Sequence, residues 1–111
     1  MAIYADITID QGSDFASTVS IVDAEDSPIN LTGYIFRGQI KKTYTSTTKV
    51  NFTITSNDPS TGNIFLALTA ATTDSMKSGR YLYDIEVVSS GGIVTRVIEG
   101  QVYVNPSVTR D

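Results

Sequence analysis

Cysteine, histidine and tryptophan are all absent from the 111 residues. Without cysteine there is no disulfide framework, no thiolate nucleophile and no sulfur-ligated metal, so the core must hold together by burial alone. Without histidine the chain lacks the one side chain that titrates near neutrality unaided, and with it the commonest ligand for transition metals. Most hydrolytic and redox chemistries lose their usual agents, and the expectation is a protein that is not an enzyme, with no catalytic, cofactor-binding or metal-binding residue. Basic residues are also few. Eight Lys and Arg stand against twelve Asp and Glu, for a net charge of −4 and a pI near 4.5. A counterion-releasing grip on nucleic acid is therefore not the expected task. No charged and apolar leader opens the chain, and no apolar run approaches a membrane span. The expectation is synthesis in the cytoplasm, with neither nucleic acid nor membrane as partner. A length of 111 residues suits one domain, 1–111, with a real core.

What is present is alternation. The stretch Gly79 to Val104 predicts a long β-hairpin. Tyr81, Tyr83, Ile85 and Val87 fall on one face, and Arg80, Asp84 and Glu86 on the other. Ser89-Ser90-Gly91-Gly92 supplies the turn, and Val94, Ile98, Val102 and Val104 return in the apolar phase. Before it, Ile3, Ala5, Ile7 and Ile9 predict a first strand, ended by Asp10-Gln11-Gly12-Ser13. Phe15, Val19 and Ile21 predict a second, expected to pair with the first as a hairpin. Tyr34, Phe36, Gly38 and Ile40 form the inward set of a third, with a small residue where a large one would otherwise pack. Val50, Phe52 and Ile54 mark a fourth strand, and Ile64, Leu66 and Leu68 a fifth. Between Thr69 and Ser78 about one helical turn is expected, with Thr72 or Thr73 as cap and Gly79 as terminator. It should cross the end of the sheet and deliver the chain to Tyr81, like the corner before the sixth strand of immunoglobulin-like domains. About seven short strands and one helical turn predict an all-β, immunoglobulin-like β-sandwich, with a partly open barrel as the alternative.

Carboxylates are the only plentiful reactive groups. Asp23, Glu25 and Asp26 cluster in a turn, but D-A-E-D-S-P-I-N lacks the spacing and glycine of a calcium loop, and a solvated turn explains it. Asp84 and Glu86 invite comparison with a glycosidase acid and base, yet both lie in the polar phase of one strand. Lys41, Lys42 and Lys49 surround Tyr44 in a polar loop, and the favoured reading is protection of a sheet edge rather than a single-strand grip. No phosphate-cradling glycine spacing occurs.

Four phrases, in order, carry a resemblance. Asp6 to Phe15 reads D-I-T-I-D-Q-G-S-D-F, and Leu31 to Tyr34 reads L-T-G-Y. Ser78 to Glu86 reads S-G-R-Y-L-Y-D-I-E, and Val97 to Arg110 reads V-I-E-G-Q-V-Y-V-N-P-S-V-T-R. Together they resemble the small immunoglobulin-like virion structural proteins of tailed bacteriophages, a group similar to the N-terminal domain of baseplate upper proteins. The resemblance spans nearly the whole chain and implies a tail or baseplate assembly or adaptor module located in the virion. It implies other virion proteins as partners and multiple symmetric copies in the particle, with head or neck decoration as a variant of the same role. A carbohydrate- or host-surface-binding module using exposed residues such as Tyr44 is the alternative from a different class. Aromatic platforms in a groove would favour binding, and a flat, paired edge would favour assembly. The expected interface residues are Ile3, Tyr4, Tyr44, Pro106, Val108 and Arg110. Both chain ends are read as arms that can lie along a neighbour's sheet edge without serving the core.

Overall fold

The computed structural model describes residues 3–22, 25, 27–47, 49–56 and 58–108. Nine strands appear among them: β1 (Ile3–Tyr4), β2 (Ile7–Asp10), β3 (Phe15–Ser20), β4 (Ile35–Lys41), β5 (Lys49–Asn51), β6 (Thr53–Thr55), β7 (Asn63–Leu68), β8 (Gly79–Val88) and β9 (Val94–Asn105). A 3-10 turn, Pro59–Thr61, precedes β7, and the helical turn α1 (Ala70–Asp74) joins β7 to β8. The larger sheet runs β1-β9-β8-β4-β5, with β2 also on β9, and the smaller runs β3-β7-β6. This is the all-β sandwich that the strand spacing predicts. Ile9, Ile40, Ile85, Ile98 and Val102 of the larger sheet meet Ile64 and Leu66 of the smaller in the core, all at most 2% exposed.

The two strands beyond the predicted seven come from splitting two of those seven. The first predicted strand breaks at Ala5 and Asp6, where Gly100 of β9 lets the chain come close: a Cβ on Gly100 would lie 2.1 Å from the Ala5 carbonyl oxygen. That oxygen accepts the Tyr83 hydroxyl, and the Asp6 carboxylate accepts the Gln101 N–H at 3.1 Å, taking a place in the ladder that backbone would otherwise fill. The fourth predicted strand changes sheets at Phe52, so that β5 pairs with β4 and β6 with β7. Phe52 N–H donates to the Gly38 carbonyl at 3.0 Å, and its buried ring meets Tyr83 edge-on and Phe15 at a tilt. Gly38 has to be small here, because a Cβ would sit 2.4 Å from Ile85 Cδ1.

Two local expectations are corrected. The first and second predicted strands do not form a hairpin: β2 runs parallel to β9, from Ile7↔Val102 to Asp10↔Asn105, while β3 runs antiparallel to β7. Alternation identifies the face that is buried but not the strand alongside, and here the turn after β2 carries the chain across the core to the other sheet. In the β8–β9 hairpin, Ile85 opposes Ile98 but Glu86 opposes Arg96, which leaves Val97 as an extra residue in a β-bulge. Both Val97 and Ile98 are buried, and Val94 is turned from the expected inner face to the outer one.

The helical turn also differs in its cap. Thr69 caps it, its hydroxyl oxygen accepting the Thr72 N–H at 3.2 Å, and the turn ends at Ser75. Thr73 is fully buried instead. Its hydroxyl donates to the Ser13 carbonyl at 2.8 Å and accepts the Gly12 N–H at 3.1 Å, tying α1 to the β2–β3 turn. The Tyr81 hydroxyl donates to the Lys77 carbonyl at 2.6 Å, the bond by which a tyrosine corner pins the chain before the sixth strand of such sandwiches. Asp23 and Asp26 of the acidic turn lie outside the described residues.

Candidate functional site

Antiparallel register places residues opposite one another on the same face, so the outer face of the larger sheet can be read row by row. At the end nearest the β8–β9 turn, Ile35 opposes Val88, which opposes Val94. Ile35 is 66% exposed, Val94 47%, and Ile93 beside it 69%, so this row is an uncovered apolar strip. In the next row Glu86 lies between Arg37 and Arg96. Arg37 Nε donates to Glu86 Oε1 at 2.8 Å, and Arg96 Nε reaches Asp84 Oδ2 at 3.3 Å. The third row is Gln39, Asp84, Glu99 and Tyr4, and the fourth is Lys41, Leu82 and Gln101.

Rows two to four floor an open groove of about 390 Å³, into which Tyr44 reaches from the β4–β5 loop and Tyr4 from β1. Its lining is mainly polar: Gln39, Lys41, Asp84, Glu86, Arg96, Glu99 and Gln101 contribute to it. Burial on the sheet, then Glu86 and more weakly Glu99, push the Asp84 carboxyl above its ordinary range, against the pull of Arg96 and Lys41. Local desolvation, followed by Asp6, Tyr103 and Tyr44, raises the Tyr4 phenol. Beneath the groove, burial first, and then Asp6 and Tyr4, carry the Tyr83 phenol up to about 12. The Tyr103 hydroxyl donates to Gln101 Oε1 at 2.6 Å, and Gln101 lines the groove with an amide nitrogen that can donate twice. The carboxylates Asp84 and Glu86 do share this face, each tied to its own arginine. Among the described residues no group of three or more Asp or Glu is placed to hold a metal ion.

No family model matches the chain, and no curated protein matches it. Among solved structures, an internalin-like protein of Listeria monocytogenes is similar over 94% of this chain, with 19% identity and a TM-score of 0.47. The chain spans 28% of the length of that protein.

The structure brings together two of the expected interface residues, Tyr4 and Tyr44, at one groove. Of the other four, Ile3, Pro106 and Val108 lie elsewhere. Ile3 pairs with Ile98 and Tyr4 with Glu99, so this N-terminal segment lies along its own β9 rather than standing free as an arm. Pro106 and Val108 are exposed beyond β9, while the Ser107 N–H between them donates to Gln11 Oε1 at 3.2 Å. Arg110 lies outside the described residues. Lys41 opposes Lys49 at the edge pair β4–β5, and Lys42 Nζ sits 4.6 Å from the centre of the Tyr81 ring. Lysines at an edge strand are one device that discourages pairing with strangers.

The apolar strip was not anticipated. A signal for it exists: Ile35-Phe36 and Val87-Val88 are apolar doublets in otherwise alternating strands, and in an unbroken ladder one member of such a doublet faces outward. Pairing register then brings the outward members to the same end of the sheet.

Proposed function

We propose that this protein is a non-catalytic attachment module of a tailed-bacteriophage particle, held to another virion protein by the outer face of its larger sheet. The observation that carries the docking part is the strip Ile35, Val88, Val94 and Ile93, three of whose side chains are about half exposed or more and which the register gathers at one end of the sheet. The partner it fits is an apolar ridge, with a polar border of its own to face Arg37 and Arg96, which are each paired with a carboxylate on the inner side of the strip. The virion setting is what the four resembling phrases imply, with tail and baseplate ahead of neck or head. A strip of this size is modest, and repetition in a symmetric particle converts modest contacts into lasting attachment through effective concentration.

The test is incorporation of the doubly substituted protein, Ile35→Ser with Val94→Ser, into assembled particles, quantified by mass spectrometry against a major virion protein. Both residues are exposed, so the variant should melt close to the wild type, and its occupancy should fall by at least about tenfold, equivalent to 1.4 kcal/mol. Equal occupancy would remove the strip as the docking surface, and absence of the wild-type protein from purified particles would remove the virion setting.

A further inference from the structure

We infer that the groove between Tyr4 and Tyr44 is a binding site for a neutral oligosaccharide. The residues that recognise it are largely separate from the docking strip, so this inference stands or falls apart from the docking reading.

The chemistry of the lining selects the ligand class. Two cations, Lys41 and Arg96, face three carboxylates, Asp84, Glu86 and Glu99, leaving a net of one negative charge spread over a mixed surface. A phosphate or polyanion would meet those carboxylates, and an apolar ligand would strip water from a polar floor without replacing its hydrogen bonds. A sugar suits both features, since each hydroxyl donates and accepts and can bridge a carboxylate to an amide or guanidinium. The Gln101 amide is bonded through its oxygen to Tyr103, and Asp84 is paired with Arg96 at 3.3 Å, so two of the polar partners are tethered before the ligand arrives. The C–H face of a sugar ring is apolar and packs on an aromatic ring. Tyr4 and Tyr44 supply two such rings, 64% and 80% exposed, at the polar groove rather than in the core. A volume of about 390 Å³ is at the lower end of the range for small-ligand sites, about 300–1,000 Å³, and an open groove on one sheet face admits a short stretch of a longer chain.

The experiment is an amide NMR titration of the full chain with maltotetraose, cellotetraose and N-acetylglucosamine tetramer, with tetralysine and a heparin tetrasaccharide as charged probes. The expected result is saturable shifts centred on Tyr4, Gln39, Glu99 and Gln101 with at least one neutral tetramer, at about millimolar affinity. Tyr44→Ala should weaken that binding by about tenfold or more, whereas Tyr44→Phe, which keeps the ring, should stay within about twofold. Tyr44 is a loop residue, so unchanged chemical shifts in the core serve as the control for folding. Failure of all three neutral tetramers to shift groove residues would overturn the inference. So would binding by tetralysine or heparin alone, or neutral-sugar affinity indifferent to Tyr44→Ala.

Discussion

Tyr83 joins three parts of the molecule. Its ring packs edge-on against Phe52 at the sheet crossing, its hydroxyl donates to the Ala5 carbonyl where the first strand breaks, and it opposes Gly100, whose missing side chain makes room for that carbonyl. Tyr83→Phe keeps the ring and deletes the bond, leaving the Ala5 carbonyl short of a partner, and should cost about 1–3 kcal/mol in urea unfolding. The phenol also ties stability to alkaline pH. Its pKa rises from 10.0 unfolded to about 12 folded, so its contribution is complete below the lower value and is lost as pH climbs through the higher one. Between those values the melting temperature of the wild type should fall more steeply than that of Tyr83→Phe. Parallel curves would mean that the phenol ionises as readily in the folded protein as in the unfolded chain.

At the scale of elements, the molecule depends on two irregularities in its strands. Phe52 sits where one strand leaves the larger sheet and enters the smaller, and it is the only residue between β5 and β6. Phe52→Ala removes ring contacts to both Phe15 and Tyr83 and empties a site between the sheets, so it should cost about 3–5 kcal/mol. A loss under about 1 kcal/mol in denaturant melts would mean that the crossing is held by backbone bonds alone. The second irregularity is the bulge at Val97. One inserted residue reverses the phase of the hairpin tip, burying Val97 and exposing Val94, and thereby completes the apolar strip with Val88 and Ile35.

For the whole molecule, the outer face of the larger sheet is divided by chemistry: an apolar strip at the hairpin end, a polar and aromatic groove at mid-sheet. Asp84 lies at the centre of that face, and its raised pKa gives stability a direction with pH. A carboxyl with a raised folded pKa contributes stability that is present below its unfolded pKa and lost as pH rises through the folded one. Acidification from neutrality through the carboxylate range should therefore shift the melting temperature of the wild type upward relative to Asp84→Asn. A difference between the two that does not change with pH would place Asp84 in a water-like environment. The net charge of −4 acts over a longer range and affects both proteins almost alike, differing only by the one substituted carboxylate.

The all-β class, most of the buried faces and the place of the helical turn were legible in the sequence because they depend on short-range alternation and on turn formers such as Ser89 to Gly92, whereas the splitting of two predicted strands, which makes nine of seven, was not. The sequence also singled out Tyr44, as an exposed aromatic of a polar loop, and Tyr4, as part of an N-terminal arm. It could not bring them together. That pairing depends on β1 lying along β9 while the β4–β5 loop reaches over the same sheet, and no local pattern encodes a neighbour so far along the chain. The failed first hairpin has the same cause, because Ile7 and Ile9 alternate identically whether their partner is β3 or β9. Val94 was misplaced for a different reason: period-two reading assumes an unbroken ladder, and a single extra residue at Val97 inverts every assignment on one side of it. Local chemistry thus determined which residues seek burial, and only the tertiary structure decided which strands lie side by side and which outward residues share a surface.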